Sequence, residues 1–168
     1  SILSISKVES GTSDLDRNPV SLKELILNMH ELYEPIADAD GIKFNYEVNE
    51  DIIINGNYNL LSQALANLIE NAINYGCSND NPSINVGAKK NENLLSLWVS
   101  DNGIGIRDAD KNKVLERFVR LDSSRSLKGS GLGLNLVSSA VKFHEGTLKL
   151  INAKPSGLIM LIEIPLDS

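Results

Sequence analysis

At 168 residues, 42% hydrophobic and 23% charged, the chain has the length of one ordinary domain with a sizeable core. Its formal net charge of -6 argues against nucleic acid or an anionic membrane as the main partner. Cys77 is the only cysteine, and His30 and His144 lie far apart, so there is no intramolecular disulfide and little prospect of a structural metal centre. A reducing, cytoplasmic setting fits. No run approaches the ~20 apolar residues that span a bilayer, which leaves a membrane-anchored parent open.

Ile2, Leu3, Ile5 and Val8 recur at helical spacing and stop at Gly11, reading as the tail of a longer helix. Ser21 and Glu24 form a capping box opening a helix whose stripe is Leu22, Leu25, Ile26, Met29, Leu32, Tyr33 and Ile36, ending before Gly41. Phe44, Tyr46 and Val48 alternate with polar residues and Ile52 to Ile54 follow a turn, so the spacing predicts a two-strand element. From Leu60 to Ile73 the apolar residues form a continuous stripe. Gln63, Asn67, Glu70, Asn71 and Asn74 gather on the adjoining side.

Ile84 to Ala88 and Leu94 to Ser100 read as paired strands around Asn91-Glu92-Asn93, with Trp98 packed on one face. Lys111 to Val119 predicts a short helix and Leu121 to Ser130 a polar, mobile loop. Leu132, Leu136, Val137, Ala140 and Phe143 predict another amphipathic helix. Thr147 to Ile151 and Leu158 to Ile164 close the chain as strands. The mixture indicates an α+β two-layer sandwich with helices on one face of a sheet.

Two glycine-rich patches stand out, Asp101-Asn102-Gly103-Ile104-Gly105 and Gly129-Ser130-Gly131-Leu132-Gly133-Leu134. Glycines let backbone N–H groups approach a polyanion, and a helix opening after the second patch aims its positive end at phosphate. Either string alone is also an ordinary turn. A P-loop is excluded because no Gly-Lys-Ser/Thr follows. A Rossmann fingerprint fits poorly, since the second patch follows the polar stretch Asp122 to Lys128 rather than a strand.

Asparagine is a poor helix former, so Asn67, Asn71 and Asn74 along one helix edge make either a solvated face or a ligand edge. A neutral amide offers oxygen to Mg²⁺ and N–H to phosphate without repelling a triphosphate. Asp101 at a strand end accepts either a local Asx-turn bond or the exocyclic amine of adenine. Arg120 and Arg125 flank the polar loop, where they pair phosphate or are merely solvated.

As a set, these residues resemble the GHKL ATPase superfamily, and within it the catalytic ATP-binding domain of two-component sensor histidine kinases. Asn67 to Tyr75 is similar to the N box, Asp101 to Ile106 to the first glycine box, Glu116 to Arg120 to the F box and Gly129 to Leu134 to the second glycine box, in the family's order. The resemblance runs from about Leu15 to Leu166 and implies a Bergerat-type sandwich, a mixed sheet covered on one face by about three helices, that binds ATP and Mg²⁺. It assigns residues 1–14 to the end of a dimerisation hairpin and its linker, and residues 15–168 to the catalytic domain.

By the same resemblance Asn71 ligates Mg²⁺, Asn67 lies near the phosphates, Tyr75 packs near ribose or base and Asp101 reads adenine. Gly103, Gly105, Ile106 and residues Gly129, Ser130, Gly131, Leu132, Gly133 and Leu134 line the nucleotide. Phe118 anchors the lid, Arg120 approaches the γ-phosphate and Arg125 sits on the lid. Asn67 and Arg120 are the expected catalytic residues. The activity implied is protein-histidine kinase, with the phosphoacceptor hairpin of a homodimeric parent and a response regulator as partners, and the isolated chain monomeric. Another superfamily ATPase, a serine kinase or a degenerate interaction module are the alternatives.

Three departures from the family pattern stand out. Asn74 replaces a frequent phosphate-facing lysine, Gly157-Leu158 a frequent Gly-Thr, and His144-Glu145-Gly146 a His-Gly-Gly turn, with His144 read as structural. His30 lies in the first helix of the ATP-binding domain, the wrong element for a phosphoacceptor.

Overall fold

The computed structural model describes residues 16–75, 80–105, 107–111, 137–153 and 156–166. A short strand β1 (Asn18–Ser21) leads directly into helix α1 (Leu22–Ala39). Ser21 Oγ accepts from the Glu24 N–H at 3.1 Å, as the capping box requires. Leu22, Leu25, Ile26, Met29, Tyr33 and Ala37 are buried, whereas Leu32 and Ile36 stay 57% and 49% exposed. The expected stripe is therefore too wide. In the second half of α1 the contact line follows Met29, Tyr33 and Ala37, four residues apart, and the other two fall on its flank.

Strands β2 (Lys43–Glu47) and β3 (Ile53–Gly56) both form, but they do not pair with each other. β3 lies antiparallel to β1, while β2 runs parallel to β4 (Ser83–Asn91) from Lys43↔Ser83 to Glu47↔Gly87. A parallel pair needs a long crossover, and helix α2 (Tyr58–Tyr75) lies within it. β1 is not legible in the sequence, because four residues beginning Asn18-Pro19 carry no useful alternation.

α2 starts two residues earlier than its apolar stripe suggests, capped by Asn57, whose Oδ1 accepts from the Leu60 N–H at 2.9 Å. Leu61, Leu65, Leu68 and Ile69 on this helix are essentially inaccessible to solvent. Burying side chains of this size contributes roughly 1.5–3 kcal/mol each. α2 packs on β4 and β5 (Leu94–Asp101), and α1 packs on β2, β4 and α2. Tyr33 on α1 donates to Glu70 on α2 at 2.7 Å, so Glu70 is tied to the neighbouring helix.

β6 (Thr147–Asn152) and β7 (Leu158–Pro165) complete a five-stranded mixed sheet in the order β2-β4-β5-β7-β6, antiparallel everywhere except β2 against β4. β4 and β5 join through Glu92 and Asn93, as the sequence predicts. Leu95, Leu97, Val99 and Asp101 alternate inward on β5, beside Leu158, Met160, Ile162 and Ile164 of β7. Trp98 is half-buried on the opposite face, over Gly87. A third helix, α3, is described over 137–143, and its Val137, Ala140 and Phe143 join the same core. The expected α/β sandwich with helices on one face is the observed fold. Among the described residues, no helix is long and apolar enough to cross a membrane.

Candidate functional site

The period of two that carries Leu95, Leu97 and Val99 into the core also turns Asp101, the last residue of β5, toward the helical layer. This carboxylate is buried, and its Oδ1 accepts from the N–H groups of Gly103 at 2.9 Å and Leu158 at 3.3 Å. Among the described residues Oδ2 takes no hydrogen bond. Burial pushes the carboxyl pKa up from 3.8, opposed by the two backbone bonds. A desolvated carboxylate with one oxygen fixed and one open is a directed acceptor for a ligand donor.

Around it the backbone is clamped from three sides. Asn102 Oδ1 accepts from Ser83 N–H at 2.9 Å, its Nδ2 donates to Asn81 O at 2.9 Å, and Ser156 Oγ donates to its carbonyl at 3.2 Å. Gly157, at φ +114°, lies so close that a Cβ there would sit 1.9 Å from the Asp101 carbonyl oxygen. Gly105, at φ +77°, is backed by Asn152 and Gly157. These left-handed conformations and the absence of a Cβ are what glycine supplies here. The Asn102 clamp is not legible in the residues alone, because an asparagine in a D-N-G string looks the same whether it turns locally or bridges to another strand.

On α2, Asn67 and Asn71 are half-buried and Asn74 is exposed. Asn67 Nδ2 donates back to Gln63 O at 2.8 Å, whereas the Asn71 amide is engaged by none of the described residues. Among the described residues no cluster of His, Cys, Asp and Glu forms a metal cage. A neutral amide oxygen such as that of Asn71 is an oxygen donor of the kind hard cations accept beside phosphate oxygens and water.

Beside the start of α2 stands another buried polar group. His144 is 4% exposed, with Nδ1 on Ala140 O at 2.8 Å and Nε2 accepting from the Asn57 N–H at 3.0 Å. Nδ1 therefore carries the proton of a neutral ring. Burial pushes its pKa below 6.5, with Arg17 adding in the same direction and the Ala140 bond opposing. Arg17 lies 4.2 Å from the Phe143 ring centroid and donates to the Phe143 carbonyl. α3 ends in a Schellman turn, Gly146 N–H to Val141 O and Glu145 N–H to Lys142 O, which places Glu145 at φ +58°.

Residues 56–168 match the family model for histidine kinase-, DNA gyrase B- and HSP90-like ATPases. The chain belongs to this ATPase family. Several of the curated proteins it matches are named as sensor kinases. It is 33% identical over 171 residues to an uncharacterized sensor-like histidine kinase of Rhizobium meliloti, covering 99% of this chain and 32% of the relative. It is 28% identical over 173 residues to the autoinducer 2 sensor kinase/phosphatase LuxQ of Vibrio vulnificus, covering 99% and 20%. The chain thus spans a fifth to a third of the length of these relatives.

Among solved structures it resembles the mycobacterial sensor histidine kinase MprB, with TM-score 0.70 and 29% identity, covering 88% of this chain and 97% of that one. The fold also matches histidine kinase ThkA in its complex with the response regulator protein TrrA, with TM-score 0.72 and 24% identity, covering 90% and 42%.

Within this family frame, Asp101, Gly103 and Gly105 share one loop, and Asn67, Asn71 and Asn74 share the edge of the helix packed on β4 and β5. The Tyr75 side chain, Ile106, Phe118, Arg120, Arg125 and residues 129–134 lie outside the described residues, as do the lid, most of the expected 111–119 helix and residues 1–15. Leu158 brings no hydroxyl, yet its backbone N–H still reaches Asp101.

Proposed function

We propose that this domain binds Mg-ATP with adenine at Asp101 and the phosphates beside α2, and presents the γ-phosphoryl group to a histidine on another segment of its parent. The single observation that carries the reading is the Asp101 carboxylate: buried, fixed through Oδ1 by Gly103 and Leu158, with no hydrogen bond to Oδ2 among the described residues. Oδ2 accepts from the exocyclic amine of adenine, a donor that guanine carries elsewhere on its ring. Asn71 holds Mg²⁺ and Asn67 faces the phosphates. When bound, Mg²⁺ neutralises charge on the phosphates.

The chemistry asked of the chain is positioning. The bond between the γ-phosphorus and the β–γ bridging oxygen breaks, a bond to the acceptor imidazole nitrogen forms, ADP leaves and the imidazole gives up its proton. Such transfer depends mainly on alignment and charge stabilisation. Arg120 stabilises the moving phosphoryl group, Phe118 anchors a lid bearing Arg125, Tyr75 packs near ribose, and Ile106 with residues 129–134 completes the cradle.

Residues 1–14 close the dimerisation hairpin of a homodimeric, membrane-anchored parent, with residues 15–168 as its cytoplasmic catalytic domain and a response regulator as the final acceptor. The test incubates the chain with labelled ATP and Mg²⁺, alone and with a separately supplied hairpin of the parent. The chain alone accumulates no acid-labile phosphohistidine, whereas the hairpin is labelled slowly, and faster when joined to the chain. Label on His30 or His144 contradicts the reading, as does an unlabelled hairpin despite ATP binding.

A further inference from the structure

Among the described residues the helices cover one side of the sheet only. α1, α2 and α3 bury their apolar stripes in a single core, on the face to which Ile84, Val86, Leu97 and Val99 point. The open face of a mostly antiparallel sheet ordinarily carries polar side chains at the alternate positions. Here β5 and β7 instead set Trp98, Ile159 and Leu161 outward, each partly exposed. Trp98 lies against β4, where a Cβ on Gly87 would stand 2.4 Å from its ring.

Strand register arranges the charges of this face in rows. One row crosses all five strands as Glu47, Gly87, Trp98, Leu161 and Lys149, with an acid on one edge strand, a base on the other and the tryptophan on the central strand. The next row sets Lys89 and Glu163 on either side of Ser96 of β5. Two contacts agree with this placement: Asn85 Nδ2 donates to Glu47 Oε1 at 3.4 Å, and Lys149 Nζ pairs with Glu163 Oε1 at 2.8 Å.

A twofold axis parallel to β5 and running above Trp98 turns this pattern onto itself. It lays Trp98 over its own copy, Glu47 over Lys149 of the second copy and Lys89 over Glu163 of the second copy. An axis across the strands instead sets Glu47 against Glu47 and Lys149 against Lys149, so charge selects the first arrangement. Sheets stacked face to face in this way keep their strands within about 30° of each other at a spacing of ~10 Å, which interdigitated side chains fill.

We propose that the open sheet face, centred on Trp98, binds a second copy of this chain in that arrangement. Five strands at ~4.8 Å and about six residues at ~3.4 Å give roughly 500 Å² on each copy, near the lower bound for a specific interface, so the dimer is weak. Trp98 and Leu161 at its centre supply the affinity, and the charges around them, each contributing little in water, set the register. The chain alone is then a weak dimer, where the family resemblance implies a monomer. Asp101 turns toward the helical layer, so a nucleotide and the second copy occupy opposite faces of the sheet.

Trp98 is the only tryptophan of the chain, so its emission reports on this face directly. The test follows sedimentation equilibrium and tryptophan fluorescence of the 168-residue chain from about 10 μM to about 1 mM, for wild type, Glu47→Lys, Lys149→Glu and the double variant, with a thermal melt on each. Wild type is expected to pass from monomer toward dimer across this range while its emission shifts to the blue. Each single reversal sets like charges against each other at both ends of the row and should weaken the dimer about tenfold. The double variant restores opposite charges in exchanged places and should return to within about threefold of wild type.

Glu47 and Lys149 are exposed, so the reversals leave the core untouched and the melts check it. A wild type that stays monomeric to the highest concentration overturns the proposal. So does a dimer whose tryptophan emission ignores concentration, or a double variant as weak as the single ones. If a variant fails to fold, the wild type decides alone: a dimer with the blue shift supports the proposal, and either one without the other overturns it.

Discussion

Asp101 and His144 are both buried polar groups, and they are built differently. His144 spends both nitrogens on Ala140 and Asn57. Asp101 spends one oxygen on Gly103 and Leu158, and among the described residues its other oxygen has no partner. Burial disfavours the charged form of both. The difference lies in unused hydrogen-bonding capacity: a saturated buried group is a joint, and a buried group with capacity to spare is a place for a ligand. That distinction turns a list of polar residues into a site and its scaffold.

The comparison breaks most readily at Gly157. Gly157→Ala is expected to cost about 3 kcal/mol or more, because the position is both left-handed and in collision with the Asp101 carbonyl. The same change at Gly41, at φ +74° with nothing within 4 Å of the added Cβ, serves as the control and costs only about 1 kcal/mol. Urea unfolding of the two variants measures the gap. Equal losses would mean that the wall behind Asp101 is less rigid than its geometry indicates.

The two groups also predict opposite pH responses. The native pKa of His144 lies below its unfolded value, so its contribution to stability is complete above about pH 6.5 and is lost as pH falls below that value through the lowered native pKa. The native pKa of Asp101 lies above its unfolded value, so its contribution is present below about pH 3.8 and is lost as pH rises through the native pKa. Denaturation from pH 5 to 8 should therefore show His144→Gln flattening the acid-side decline. Asp101→Asn should raise stability relative to wild type toward neutral pH, by removing a buried charge. Parallel profiles for wild type and both variants would contradict the assigned environments.

A smaller effect sharpens the joint itself. Glu145 occupies a left-handed position where glycine is the usual choice, so Glu145→Gly should stabilise by about 0.5–1 kcal/mol, net of the added freedom of the unfolded chain. A thermal melt detects this. No gain would mean that the Glu145 side chain makes up for its backbone strain.

Much of this architecture was legible in the sequence. The capping box at Ser21, the stripe of α2 and the alternation of β5 each rest on a local period, and each appears where the period puts it. Pairing is another matter. Phe44 and Ile54 lie close in sequence with a turn between them, yet β2 joins β4 across α2, and β3 joins β1. Alternation tells which side of a strand is buried and is silent about its neighbour.

The same limit applies to the site. Asp101 was readable as an acceptor at a strand end. What holds it in place was not, since Asn102, Ser156 and Gly157 act through backbone approach across 19 to 57 positions of sequence separation. Glu70 looked like a member of the amide edge and is instead bonded to Tyr33, a contact set by how α1 packs on α2.

The central claim, that the open oxygen of Asp101 reads adenine, is tested most directly by titrating wild type and Asp101→Asn with ATP and with GTP at constant Mg²⁺. Wild type should prefer ATP, and Asp101→Asn should lose roughly 10–100-fold in ATP affinity, as expected for a hydrogen bond to a charged acceptor, with little change toward GTP and no loss of thermal stability. Equal affinity of the wild type for the two nucleotides, or an Asp101→Asn variant that keeps its ATP preference while folded, would contradict the claim.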